Sequence, residues 1–187
     1  MPEENNDLSY LFDLELSDKE VFYVGKIVSQ WGSIEHEIFN QCLLTFDQEE
    51  IKLPKAMNNL CFSDVLKLWI KRVVDVDNEE RQTILLQQYE KIIELKDYRN
   101  ALVHGMWNWD LSEPDVITTS RIRKKEIIST KFKPDDLVDF YTQLAKINFN
   151  IRFPGGVEEL AEARMAQSGY IDRRGFEMLF GNNDLVP

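Results

Sequence analysis

The sequence predicts a mainly α protein: a helical bundle of four to five helices, with a small antiparallel β-hairpin or meander after the third helix. Three observations lead there. Helix-start signals precede stretches whose apolar residues recur every three or four positions; Gly105 and Pro134 bracket short, β-prone pieces; and 43% hydrophobic residues in a 187-residue chain suffice for one buried core. A single domain is therefore expected over residues 1–187, with an acidic arm at 1–16, a core at 17–150, and a helix and tail at 151–187.

The first element is announced by Ser17-Asp18-Lys19-Glu20, a capping box in which hydroxyl and carboxylate each satisfy an orphan amide. A helix to about Phe46 follows, with Val24, Val28, Trp31, Glu35, Ile38 and Cys42 in one stripe at 100° per residue. A second helix is expected from a cap at Ser63, turning Val65, Leu66, Trp69, Ile70 and Val73 inward before the polar turn Asp75 to Asn78. The third and longest runs from Asn78 or Glu79 through Leu85, Ile92 and Leu95 to His104, and Gly105 suits the left-handed position that closes a helix. Strand pieces follow at Met106 to Leu111, Val116 to Arg123 and Ile127 to Phe132, with Ser112-Glu113-Pro114-Asp115 as the turn between the first two. Pro134, followed by Asp135 and Asp136, opens a fourth helix reaching about Asn150. Pro154-Gly155-Gly156 then breaks the chain before a short helix from Val157 to about Gln167, and Ser168 to Pro187 reads as a docked arm or a loose tail.

Charge and composition narrow the function classes. No apolar run nears the roughly 18 residues that cross a bilayer, and the acidic start lacks the basic and apolar regions of a signal peptide, so a cytoplasmic protein with no membrane partner is expected. Cys42 and Cys61 read as reduced, packed thiols rather than a disulfide. The net charge of −11 opposes binding to nucleic acid, but it is unevenly spread. Residues 118–133 carry Arg121, Arg123, Lys124, Lys125, Lys131 and Lys133 against Glu126 alone, a net +5 on a remainder of −16. Such a patch suits either a solvated hairpin whose edge charges deter strand addition or phosphate contact, which makes Arg121, Arg123, Lys124 and Lys125 candidate RNA-binding residues.

Helical phase isolates the chemistry. Glu35 lies within the first apolar stripe, where a carboxylate needs a partner, and Arg99 shares the inward phase of Leu85, Ile92 and Leu95, so the two are expected to meet. Asp97, Asn100 and His104 align on the adjacent face, with Arg99 and His104 about 140° apart and flanking a groove that a second copy of the chain could complete. An imidazole exchanges protons near neutral pH, and a fixed guanidinium stabilises charge growing on a phosphate, so the pair suits RNA cleavage without a metal or other cofactor. Glu35-His36-Glu37 turn about 100° from one another and cannot converge on a metal; His36 is expected to face solvent. Trp107 and Trp109 share one strand face and read as cover for the bundle or as a base-stacking surface.

The segment Tyr98-Arg99-Asn100-Ala101-Leu102-Val103-His104-Gly105 resembles the signature of the HEPN (higher eukaryotes and prokaryotes nucleotide-binding) superfamily, in which a polar residue follows an arginine and a histidine closes the motif. The likeness covers eight residues in letters and about 17–150 in architecture. It implies a dimerising helical bundle that cuts RNA through attack of the ribose 2′-hydroxyl, as in toxin or defence systems with a protein antitoxin or regulator. On this chain His104 would be the general base or acid, Arg99 would hold the scissile phosphate, Asn100 would position it or orient His104, and Glu35 would fix Arg99, with Asp97 in support. The toxin form usually has a tyrosine two residues after the histidine, where this chain has Met106. The resemblance also admits a non-catalytic dimerisation or adaptor module, or a nucleotide-binding one.

Overall fold

The helix starts signalled at Ser17, Asn78 and Pro134 are met by side-chain hydrogen bonds to backbone amides. The computed structural model describes residues 16–46 and 61–166, and within them five α-helices and a three-stranded sheet. The arm before Leu16 and the tail after Ala166 lie outside the described residues. The chain divides into two compact units, Met1–Arg152 and Phe153–Pro187.

Helix α1 (Asp18–Leu44) starts at the expected capping box: the Glu20 amide donates to the Ser17 hydroxyl, and the Ser17 amide donates to the Glu20 carboxylate at 2.7 Å. Its buried stripe is Ile27, Trp31, Ile34, Ile38 and Cys42, rotated from the expected one. Val28 is exposed and Val24 only half-buried, because Ile27 and Ile34 offer larger apolar surface on the neighbouring phase. Helix α2 (Phe62–Trp69) is capped at Cys61 without a side-chain bond, so Ser63 sits inside the first turn, where its hydroxyl accepts from the Lys96 ammonium. It runs on as a π-helical segment, Ile70–Val74. Widening that turn buries Val74, while Ile70 and Val73 remain half-buried.

Helix α3 (Glu79–His104) begins at Asn78, whose side chain accepts from the Arg81 amide at 3.0 Å. It ends at Gly105, but not in the left-handed form expected: φ is −81° and ψ 155°, extended backbone leading straight into a strand. Strands β1 (Met106–Asp110), β2 (Glu113–Arg123) and β3 (Glu126–Phe132) form an antiparallel meander in that order. The sheet thus follows the Glu79–His104 helix as expected; with the π-helical segment counted separately, that is the fourth helical segment rather than the third. Helix α4 (Pro134–Arg152) opens at the proline, with Asp136 accepting from the Lys133 amide at 2.8 Å. Helix α5 (Val157–Ala166) belongs to the second unit and follows Gly156, whose φ of +81° is the left-handed turn that glycine tolerates.

The core lies where α1 packs along α4 and against α2, with α3 closing one side and the inner face of the sheet covering the end of α3. Trp31 and Trp69 are its largest sealed side chains. The polar edge of Trp69 is matched there: its indole N–H donates to Gln41 at 2.8 Å, and the Gln41 amide donates to the Ile151 carbonyl at 3.0 Å. On the sheet, Ile117 and Thr119 point inward and pair with Phe132 and Thr130 on β3. Trp107 lies opposite Thr119 and packs on the core, whereas Trp109, opposite Ile117, stays 41% exposed. Cover for the bundle is therefore the role of Trp107.

No helix among the described residues is long and apolar enough to cross a membrane.

Candidate functional site

The last two turns of α3 place the motif residues on different sides of one helix. Arg99 is half-buried against α1, its guanidinium carbon 5.6 Å from the centre of the Trp31 ring. A cation over an indole face is held by the ring's quadrupole, and burial strengthens that attraction. The Arg99 Nη1 donates to the Asn100 side-chain oxygen at 3.2 Å, while its Nε is buried without an acceptor. That geometry fixes the guanidinium and leaves hydrogen-bonding capacity unspent.

Glu35 does not meet Arg99. Its carboxylate, half-buried, accepts from the Trp31 indole N–H at 2.7 Å. The expected ion pair is replaced by a relay in which Trp31 takes Glu35 at its edge and Arg99 on its face. The physical cause is local: Glu35 sits one turn after Trp31, at the margin of the buried stripe, and the indole N–H reaches it first. Glu35, His36, Phe39, Phe62 and Val65 line a cavity of about 370 Å³ between α1 and α2. His36 is exposed, as expected, with its Nε2 2.9 Å from Asn40.

His104 is the final residue of α3 and is exposed. Five residues separate it from Arg99, about 7.5 Å along the axis and roughly 140° around it. The fold therefore brings Asn100 to Arg99, and sets His104 on another side of the helix from Arg99. Asp97, on the His104 side, forms an ion pair with Arg121 of β2 at 3.2 Å. Arg121 is 17% exposed along its side chain and its Nε is buried with no acceptor. It is thus pinned to α3 rather than displayed with the other basic residues, a correction to its expected place in an open RNA-binding patch. Arg123 pairs with Glu126 in the ladder, and Lys124 and Lys125 are exposed at the turn between β2 and β3.

Sequence reasoning missed the seam beneath His104. A Cβ added to Gly105 would stand 2.5 Å from the Ala101 carbonyl oxygen and 2.8 Å from the Thr119 Cβ. Glycine is required there by close approach of the Ala101 carbonyl and of β2, not by a positive φ. Thr119 is buried and its hydroxyl has no partner. No local signal marks Thr119, because its contact with Gly105 depends on how β2 folds back over the helix end.

Comparison with protein-family models, with curated proteins and with solved structures gives no match.

Proposed function

We propose that the chain is a HEPN-like, metal-independent endoribonuclease of the cytoplasm that works as a homodimer, in a toxin or defence setting where a protein antitoxin or regulator restrains it. The observation that carries this reading is the end of α3. One helix terminus presents a guanidinium fixed by Trp31 and Asn100 and, about a turn and a half later, an exposed imidazole. In the reaction His104 takes the 2′-hydroxyl proton as that oxygen attacks phosphorus. The bond to the 5′ oxygen then breaks, an imidazolium returns a proton to it, and a 2′,3′-cyclic phosphate remains. Arg99 offsets the charge that grows on the phosphate, and Asn100 keeps the guanidinium in register.

Dimerisation is supported by the same helix. Leu86 and Ile93 are exposed apolar residues spaced seven apart and continued in phase by Asn100, with His104 about 20° from Ile93. A second copy covering that stripe would bring two His104 rings together, each beside the Asn100 that holds Arg99. The second reading, a non-catalytic dimerisation or adaptor module of the same fold, is favoured by one feature: exposed Met106 stands where the toxin form has a tyrosine.

Incubation with mixed RNA in the presence of a chelator separates the two. Cleavage by the unaltered protein, reduced about 10²- to 10⁴-fold in His104→Ala with an unchanged melting temperature, supports the enzyme. Intact RNA with the unaltered protein rejects it.

A further inference from the structure

The β2–β3 hairpin outruns its sheet. Strand β1 pairs with β2 only as far as Met106 opposite Ser120, whereas β2 and β3 stay paired to Arg123 opposite Glu126. Residues 121–128 therefore form a two-stranded ribbon beyond β1, carrying Lys124 and Lys125 at its tip. Both lysines have positive φ, 50° and 71°, the conformation of a two-residue hairpin turn that Asn-Gly fills most readily. Lysine at both positions costs backbone energy, and the turn presents two exposed cations at the tip.

The outward face of this ribbon is distinctive. Ile122 and Ile127 face each other across the strands at 79% and 75% exposure; the next row holds Met106, Ser120 and Ser129, with the two serine hydroxyls 2.8 Å apart. No aromatic residue occupies an outward position from Met106 to Lys131 on these strands. Unpaired RNA is gripped mainly by stacking bases on aromatic rings, and this face has none to offer. Hydroxyls and aliphatic side chains instead match what the wide, shallow minor groove of an A-form helix displays: 2′-hydroxyls and ribose faces. Charge makes the contact directional, because residues 118–133 carry a net +5, with Lys124 and Lys125 exposed at the tip, while the rest of the chain, at −16, repels phosphate.

We infer that the ribbon is a docking arm for double-helical RNA, so that the substrate class is an RNA whose paired stem adjoins the unpaired segment presented at His104. This inference rests on the ribonuclease reading and deepens it. Ser120 lies beside β1's first residue, two positions after His104, and Lys124 is about 13 Å farther along the strand, so cleavage falls within a few nucleotides of the stem.

The test is fluorescence anisotropy with full-length His104→Ala protein and two labelled RNAs of equal length and composition, one a hairpin with a single-stranded tail and one unpaired, across a salt series. The hairpin should bind about tenfold tighter or more, and K124A/K125A should erase that preference and flatten the salt slope by about two phosphate contacts. I122S/I127S should weaken hairpin binding while leaving the slope unchanged. Circular dichroism on each variant checks that the fold is kept. Equal affinity for both RNAs, or a preference that survives K124A/K125A, overturns the docking arm and leaves the ribonuclease reading standing. Failure to bind either RNA overturns both.

Discussion

The two sides of the α3 terminus are built on opposite principles. On the α1 side, Arg99, Trp31 and Glu35 form a half-buried relay in which the indole takes the carboxylate at its edge and the guanidinium on its face. On the sheet side, His104, Met106 and the ribbon stand in solvent, with isoleucines bare and lysines in left-handed backbone. The contrast teaches where rigidity and reach are divided: a guanidinium that must not move is set against the core, and groups that must meet a large partner are set outside it. Sealed contacts raise stability at each step, whereas the exposed ribbon carries local costs that a stability-optimised hairpin would avoid.

That division can be broken most severely from the sealed side. Trp31→Ala removes a fully buried indole that also serves Glu35 and Arg99, and should cost about 3–5 kcal/mol in chemical denaturation. A loss below about 1 kcal/mol would mean that the relay does not organise this side. Gly105→Ala drives a methyl group into the Ala101 carbonyl and Thr119, with an expected loss of about 1–3 kcal/mol. Unchanged melting would show that β2 does not press on the helix end.

The thiols offer a pH test of the same contrast. Burial pushes the Cys42 thiol up to about 11 from an ordinary value near 9. Below that ordinary value both folded and unfolded chains keep the proton. Between the two values only the unfolded chain ionises, so stability falls as pH rises through that window. The melting temperature of the unaltered protein should therefore drop more steeply from about pH 9 to 11 than that of Cys42→Ala. Equal slopes would contradict a sealed Cys42. A thiol reagent should meanwhile label exposed Cys61 in the folded protein and spare Cys42.

The smallest effect is expected on the open side and has the opposite sign. Replacing Lys124-Lys125 with Asn-Gly relaxes the turn and should raise stability by about 1 kcal/mol while lowering affinity for paired RNA. A stabilised hairpin with undiminished affinity would detach the strain from the function.

Much of the scaffold was legible because its signals are local. Ser17 with Glu20, Asn78 before α3, and Pro134 with Asp136 each name their own hydrogen-bond partner within four residues, so the helix starts follow directly. The strands were legible as pieces between Gly105 and Pro134, and Trp107 as cover. What escaped depends on residues distant in sequence. Nothing near Ser63 reveals that Lys96 will claim its hydroxyl, and nothing near Gly105 reveals that Thr119 will leave no room for a Cβ. For Glu35 the phase argument pointed to a need for a partner but not to its identity, since an indole one turn back competes with an arginine on another helix. Arg121 read as one more cation in a basic run; only the strand register turns it inward onto Asp97 and separates it from the lysines at the tip.

The central claim is that Arg99 and His104, on opposite sides of one helix end, serve a single transition state. A double-mutant cycle on RNA cleavage tests it: Arg99→Ala, His104→Ala and the combined variant, each assayed under chelation with its melting temperature recorded. Groups acting on one transition state lose rate in a strongly non-additive way, so the double variant should be about as slow as the slower single variant. Losses that multiply across the two substitutions would show that the pair acts independently and would contradict the claim.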